Sequence, residues 1–283
     1  GAAGLRARRS VRAPTSVHAL APCHRAAFSS KSDKSSAKLS AFDGVDGIIQ
    51  YANRCTARLP SYERYKKENV FPPSGFDFLN FFLFIKLQLP TSTEIDACEF
   101  LNGAQFACDL TMNTMYLPEF VNYATGAITE SPAAETLRRG LSPECFDAFL
   151  FGMRESSKIG NSFELKKLDI NGVFLHGVEW ERMTLAELRR DEQMRRAAAQ
   201  QDAADPTSPP AIDGSAPADD EEALKTMVER MRIDVLFESK EHLHVRMAEG
   251  EDQDIIKDSQ AVWRFESLVT QPSDVDWRIV SVF

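Results

Sequence analysis

The chain is poor in the residues from which most metal centres and hydrolytic sites are built. Its five cysteines, Cys23, Cys55, Cys98, Cys108 and Cys145, form no CxxC pair and have no histidine at ligand spacing. Neither a zinc site nor a disulfide framework is therefore expected, and buried free thiols fit a reducing compartment. Histidine is scarce. His242 and His244 point to one side of a strand beside Arg246, but a pair without a third ligand reads as a solvated face, and His176 beside Gly177 is isolated. No Gly-rich phosphate loop, Ser-bearing nucleophile elbow or metalloprotease motif occurs. The longest apolar run, residues 76–89, is broken by Asp77, Asn80, Lys86 and Gln88. It is shorter than the roughly 20 residues a spanning helix needs. No transmembrane span, metal, cofactor or small-molecule substrate is expected.

Acid is missing from the first 32 residues, which carry Arg6, Arg8, Arg9, Arg12, Arg25 and Lys31. With six cations and no carboxylate removed, a formal charge of −9 becomes about −15 for the remainder. An Arg- and Ser-rich segment without acids or a sustained apolar core has the composition of a mitochondrial transit peptide. The string Arg25-Ala26-Ala27-Phe28-Ser29-Ser30 suits a matrix-peptidase neighbourhood, so residues 1–30 are assigned as leader. Residues 31–91 read as an N-terminal extension, its first part, to about residue 50, being a Ser-, Lys- and Gly-containing lead-in.

Within that extension lies the one basic, aromatic patch of an acidic protein. Arg54, Arg58, Arg64, Lys66 and Lys67 alternate with Tyr51, Tyr62 and Tyr65, a combination able to hold phosphates of RNA or lipid; the plainer reading is a solvated helix face. The run 76–89 follows, with Phe78, Phe81, Phe82 and Phe84 as candidates for contact with a partner or a membrane surface, the alternative being burial. Next, Thr91-Ser92-Thr93-Glu94 has the form of a capping box and predicts a helix over about 92–116. Ser131-Pro132 and Ser142-Pro143 each put a cap residue before a proline at the first helical position.

The second half turns to period-two patterning. Residues 162–180 are β-like, with Asn171-Gly172 either a hairpin turn or a bulge. A charged, Ala-rich helix over 185–201 and a Pro-, Asp- and Ser-rich low-complexity stretch to about 222 form an insertion, 183–224. Ile233, Val235 and Phe237 then mark one strand and Leu243, Val245 and Met247 a second, joined through Ser239-Lys240-Glu241. Trp263 and Phe265, followed after Gln271-Pro272-Ser273-Asp274 by Trp277 and Ile279, read as a closing antiparallel hairpin. Helices first and strands after predict an α+β domain over 92–283, with helices on a strongly curved antiparallel sheet of four to five strands.

Four strings carry a family likeness: Phe163-Glu164-Leu165-Lys166-Lys167-Leu168-Asp169-Ile170-Asn171-Gly172-Val173, Arg232-Ile233-Asp234-Val235-Leu236-Phe237, Val262-Trp263-Arg264-Phe265-Glu266 and Asp276-Trp277-Arg278-Ile279. In this order they resemble the cone fold of nuclear transport factor two. Within it they are similar to the mitochondrial family that includes subunit forty-four of the inner-membrane translocase and large-subunit ribosomal protein forty-five. The insertion departs from that pattern. The resemblance implies a non-enzymatic adaptor, peripheral on the matrix face of the inner membrane, bound to protein subunits of an import motor or of a respiratory or ATP-synthase complex. The alternative is a tether of the mitochondrial large ribosomal subunit, which the acidic body disfavours as an RNA binder. A second alternative is an isomerase or dehydratase in the cone cavity. The inward faces expected here carry no proton donor or acceptor, and that chemistry needs one.

Overall fold

The computed structural model describes residues 39–73, 76–160, 162–203, 221–247 and 251–283. The assigned leader, 1–30, and the low-complexity stretch 204–220 lie outside the described residues. By contact density the chain divides into Gly1–Ala37 and Lys38–Phe283, and the fold described is that of the second unit.

Seven helices come first: α1 (Gly44–Ala57), α2 (Leu59–Lys67), α3 (Asp77–Leu87), α4 (Ala97–Met115), α5 (Pro118–Ala124), α6 (Pro132–Gly140) and α7 (Pro143–Lys158). Strand β1 (Ser162–Thr184) follows, then α8 (Leu185–Ala203), α9 (Glu221–Lys225), β2 (Met227–Arg246), β3 (Gln253–Leu268) and β4 (Arg278–Val282). The strands form one antiparallel sheet in the order β1-β2-β3-β4. The α+β class and a four-stranded antiparallel sheet thus stand as expected. The sheet is open, with β1 and β4 at its edges, and it is not strongly curled.

Local chemistry explains most helix starts. Ser131 Oγ accepts from the Ala134 amide and Ser142 Oγ from the Cys145 amide, so both Ser-Pro pairs cap as predicted. The capping box at Thr91 does not form. Helix α4 begins five residues later, where Asp96 Oδ1 accepts from the amides of Cys98 and Glu99. Thr91 is diverted to Glu229, whose buried carboxylate takes its Oγ1–H at 2.6 Å and its amide at 3.0 Å. A carboxylate removed from water needs donors, and that demand exceeds what a cap contributes. Residues 44–50 also depart from the expected lead-in, since they form the start of α1, while residues 31–38 lie outside the described residues.

In the sheet, Asn171-Gly172 makes no turn. Register shifts between Ile170 and Gly172, so Asn171 is the extra residue of a bulge in one 23-residue strand. A Cβ on Gly172 would come to 2.5 Å from the Phe174 ring, so a larger residue there would require that ring to move. Ser239-Lys240-Glu241 makes no connection either. Ser239 pairs with Ile170 on one side and Ser259 on the other, and Glu241 with Leu168 and Lys257, all inside β2.

The core lies between the helices and one face of the sheet. Ile233, Val235 and Phe237 alternate inward on β2 and meet Trp263 and Phe265 of β3, all nearly inaccessible to water. Phe100 of α4 stands edge-on to Phe265 and to Trp277, with ring centroids 5.6 and 4.8 Å away. A fully buried aromatic such as Phe265 contributes roughly 1.5–3 kcal/mol, and the partly buried Phe100 and Trp277 contribute less. Trp277 precedes β4 rather than lying in it, and Phe265 pairs with Ile279. Met247, expected to face inward, is substantially exposed. Tyr62, Tyr65, Phe84 and Leu87 join the same buried cluster, so α2 and α3 share the core of the sheet.

The opposite face of the sheet is ionic. Directly opposed residues there are Glu181 and Arg230, Glu179 and Arg232, Arg232 and Glu266, and Asp234 and Arg264. Helix α8 lies against this ladder, with Asp191 bonded to Arg230 at 2.5 Å and Arg195 to Glu266 at 3.1 Å. Insertion residues near 183–203 are thus structural at their start.

Candidate interaction surface

Helix α3 is built from almost unbroken apolar residues, so it has no polar face to give to water. At helical spacing Asn80, Phe84 and Leu87 (i, i+4, i+7) turn inward. Phe84 is fully buried, with ring centroids 5.2 Å from Tyr62, 6.3 Å from Tyr65 and 6.0 Å from Phe81. Phe84 is therefore a core anchor, and its candidacy as a contact residue is corrected. The other side of the helix faces out. Phe78 is 74% exposed and Phe82 49%, with Leu79 and Phe81 beside them and Phe76 just ahead of the helix. The Lys86 ammonium sits 5.0 Å from the Phe82 ring centroid. Helix α1 adds Val45, Ile48 and Ile49, all exposed, and is pinned to α3 by a bond from Tyr51 Oη to the Ile85 carbonyl.

The basic patch dissolves on folding. Arg58 pairs with Glu94 and Arg64 with Asp96, the carboxylate that also caps α4. Arg54 donates to the Leu39 carbonyl at 3.3 Å. Tyr62 and Tyr65 are buried, Tyr65 Oη accepting from the Ala97 amide at 3.1 Å, and burial raises both phenols above their ordinary range. Only Lys66 and Lys67 remain as exposed cations outside an ion pair, Lys66 lying over the Tyr62 ring. Sequence spacing placed these five residues together, but it could not show that three would be matched by acids and a carbonyl from elsewhere.

Other groups with chemical potential are separated. His242 Nε2 lies 3.3 Å from Asp169, and His244 Nδ1 2.8 Å from Asp254. Among the described residues no group of three or more His, Cys, Asp or Glu is placed to hold a metal ion. Tyr116 Oη donates to the buried Glu241 at 3.5 Å. Burial first, and then the Glu241 charge, pushes the Tyr116 phenol up to about 12. This carboxylate–phenol pair was missed in the sequence because Glu241 was read as turn. A hollow of about 470 Å³ between α1, α3 and residues 90–94 has a mixed lining that includes Arg54, Arg58, Leu87, Gln88 and Thr93; neither member of the pair lines it.

No helix among the described residues is long and apolar enough to cross a membrane. No protein-family profile matches this chain, and no curated protein matches it. Among solved structures, the crystal structure of the intermembrane space region of chloroplast protein ARC6 is similar at 11% identity, over 65% of this chain and 94% of that one, with a TM-score of 0.30. A likeness of that size bears on neither fold nor function.

Proposed function

We propose that the chain is a non-catalytic adaptor that docks through the outward face of α3 onto a membrane-associated protein assembly. The observation that carries this reading is the exposure of Phe76, Phe78, Leu79, Phe81 and Phe82 on one surface while Phe84 and Leu87 hold the helix rigidly in the core. Contiguous exposed aromatics of this kind mark interaction sites on soluble domains. The assembly we assign is one at the matrix face of the mitochondrial inner membrane, in keeping with the leader-like residues 1–30 and with the four strings similar to the translocase-subunit family. A relation to the cone fold belongs to the same proposal. It rests on helices packed against one face of a sheet whose last two strands bring Trp263, and Trp277 just ahead of β4, to the core. The ion pairing of Arg58 and Arg64 weighs against an RNA-binding role, because a phosphate would have to compete there with Glu94 and Asp96.

The test is a photoreactive side chain at Leu79 of the full chain, which is 51% exposed between Phe78 and Phe82, activated in intact mitochondria. Cross-links to subunits of an inner-membrane complex are expected. Loss of the two large outward rings in Phe78→Ser/Phe82→Ser should reduce the yield at least about tenfold, since each ring is worth roughly 1.5–3 kcal/mol when covered. Cross-links to soluble matrix enzymes alone, or a yield unchanged in the double variant, would overturn the proposal.

A further inference from the structure

Strand β1 is an edge strand whose outer side is barely used. Among the described residues one backbone bond reaches it from outside the sheet, from the Leu175 amide to the Val70 carbonyl at 2.7 Å. Residues 168–174, just before that point, keep their outward amides and carbonyls without a backbone partner among the described residues, on an edge that natural proteins ordinarily protect. Protection is present further back, where Lys166 and Lys167 stand on the strand, paired with Glu164 and Asp169. From Leu168 to Phe174 the only charge is Asp169 and there is no proline.

Beside this open stretch runs a groove. A hollow of about 540 Å³ between β1, α4 and the segment after α2 adjoins a second of about 330 Å³, the two sharing Asn102, Gln105 and Ile170. On α4 the wall extends from Cys98 to Asp109. That is about 16 Å at 1.5 Å per residue, the length of about five residues of extended chain. Along the floor the amides of Asn69, Asn102, Gln105 and Asn171 can both donate and accept. Leu101, Phe106, Leu168 and Ile170 supply apolar ground, Phe106 being 61% exposed.

Charge decides what fits. Glu68 lines one end and Asp109 the other, and no lysine or arginine lines either hollow. We propose that the groove between α4 and the outer edge of β1 is a docking site for an extended, cation-bearing peptide segment of a partner protein, which adds to the sheet as a strand beside residues 168–174. Main-chain bonds to β1 would provide affinity, alternate side chains would rest on the apolar ground, and lysines or arginines would meet Glu68 and Asp109. Because Asn171 is an extra residue in β1, pairing is expected in two short runs on either side of it. The site is separate from the aromatic face of α3 and does not depend on the role given to that face.

The probe is a phage-displayed library of random dodecapeptides, selected on the full chain. Peptides that alternate β-branched residues with lysine or arginine should be enriched, and should lose at least tenfold in affinity for the exposed-site variants Gln105→Arg and Asp109→Lys. A synthetic copy of an enriched peptide, N-methylated on alternate amides, should bind at least tenfold more weakly, and the unmodified copy should slow amide exchange within residues 168–174. Circular dichroism confirms that both variants fold. Failure to enrich, enrichment of acidic peptides, indifference to Gln105→Arg or to N-methylation, or slowed exchange on α3 in place of β1 would each overturn the proposal. So would cross-linking of the groove to this chain's own residues 1–38.

Discussion

Replacing Arg230 by methionine puts the ionic face of the sheet to a quantitative test. The guanidinium is 4% exposed and donates to Glu181 at 2.5 and 3.2 Å and to Asp191 at 2.5 Å, with Glu266 at 3.9 Å. Three charge-assisted bonds at about 1.5–3 kcal/mol each would suggest a loss of about 4.5–9 kcal/mol. Two effects reduce it. Removing the arginine also removes its desolvation cost, which is several kcal/mol for a buried ion. The stranded carboxylates keep other partners, Glu181 having Arg232 at 3.2 Å and Asp191 having Arg195 at 3.5 Å. A net loss of about 2–3 kcal/mol is therefore expected for Arg230→Met, and about 1 kcal/mol of coupling in a double-mutant cycle with Asp191→Asn. Urea unfolding followed by tryptophan fluorescence, with unchanged slope, measures both.

The same substitution has a pH signature. Burial pushes the Glu181 and Asp191 carboxyls up, but the bonds from Arg230 and the charges around them outweigh it and hold both below the ordinary carboxylate range. A depressed carboxyl contributes stability that is present above its unfolded value, near 4, and is lost as pH falls below it. The gap between wild type and Arg230→Met should accordingly narrow below about pH 4. In the variant, α8 should also be cut sooner by trypsin, since one of its ties to the sheet is gone. Equal stability at pH 7, or a gap that persists unchanged into acid, would refute the reasoning.

Phe84→Ala should cost about 3–5 kcal/mol by leaving a cavity among Tyr62, Tyr65 and Phe81, whereas Phe82→Ala, on the exposed side of the same helix, should stay within about 0.5 kcal/mol; urea midpoints separate the two. Asp96→Ala removes the cap of α4 and the partner of Arg64, and a loss of about 1–2 kcal/mol is expected, read as a lower thermal midpoint. Burial pushes the Cys108 and Cys145 thiols up to about 12, as it does the Tyr116 phenol. Groups raised in the folded state give stability that is complete below their unfolded values, about 8.5 to 10, and is lost as pH climbs toward 12. The chain should thus unfold progressively above about pH 9, and at neutral pH both thiols should resist aromatic disulfide reagents until urea unfolds it.

Much of this architecture was legible because the relevant signals are local. Ser131-Pro132 and Ser142-Pro143 act within one helical turn, and the alternation around Ile233 and Trp263 is a property of the strand itself. The misread elements share a different origin: each was decided by a partner distant in sequence. Thr91 caps nothing because Glu229, 138 residues away, claims its hydroxyl. Ser239-Lys240-Glu241 looks like a turn in isolation, yet strands on both sides hold it extended. Arg58 and Arg64 look like a free basic patch until Glu94 and Asp96 arrive beside them.

The same division explains why the aromatic run 76–89 was readable as a surface candidate but not residue by residue. Composition could say that α3 has too many apolar side chains for a surface helix. The assignment of Phe84 to the core and Phe78 and Phe82 to the exterior needed the phase of the helix relative to Tyr62 and Tyr65, and that phase is fixed by contacts from α2. An inward polar group, Asn80, shows that even this phase is not set by hydrophobicity alone, since a helix maximising burial would have turned a phenylalanine there. The outward rings therefore persist at the expense of burial. Their exposure beside the rigidly held Phe84 is the reason a docking role is favoured over incomplete packing.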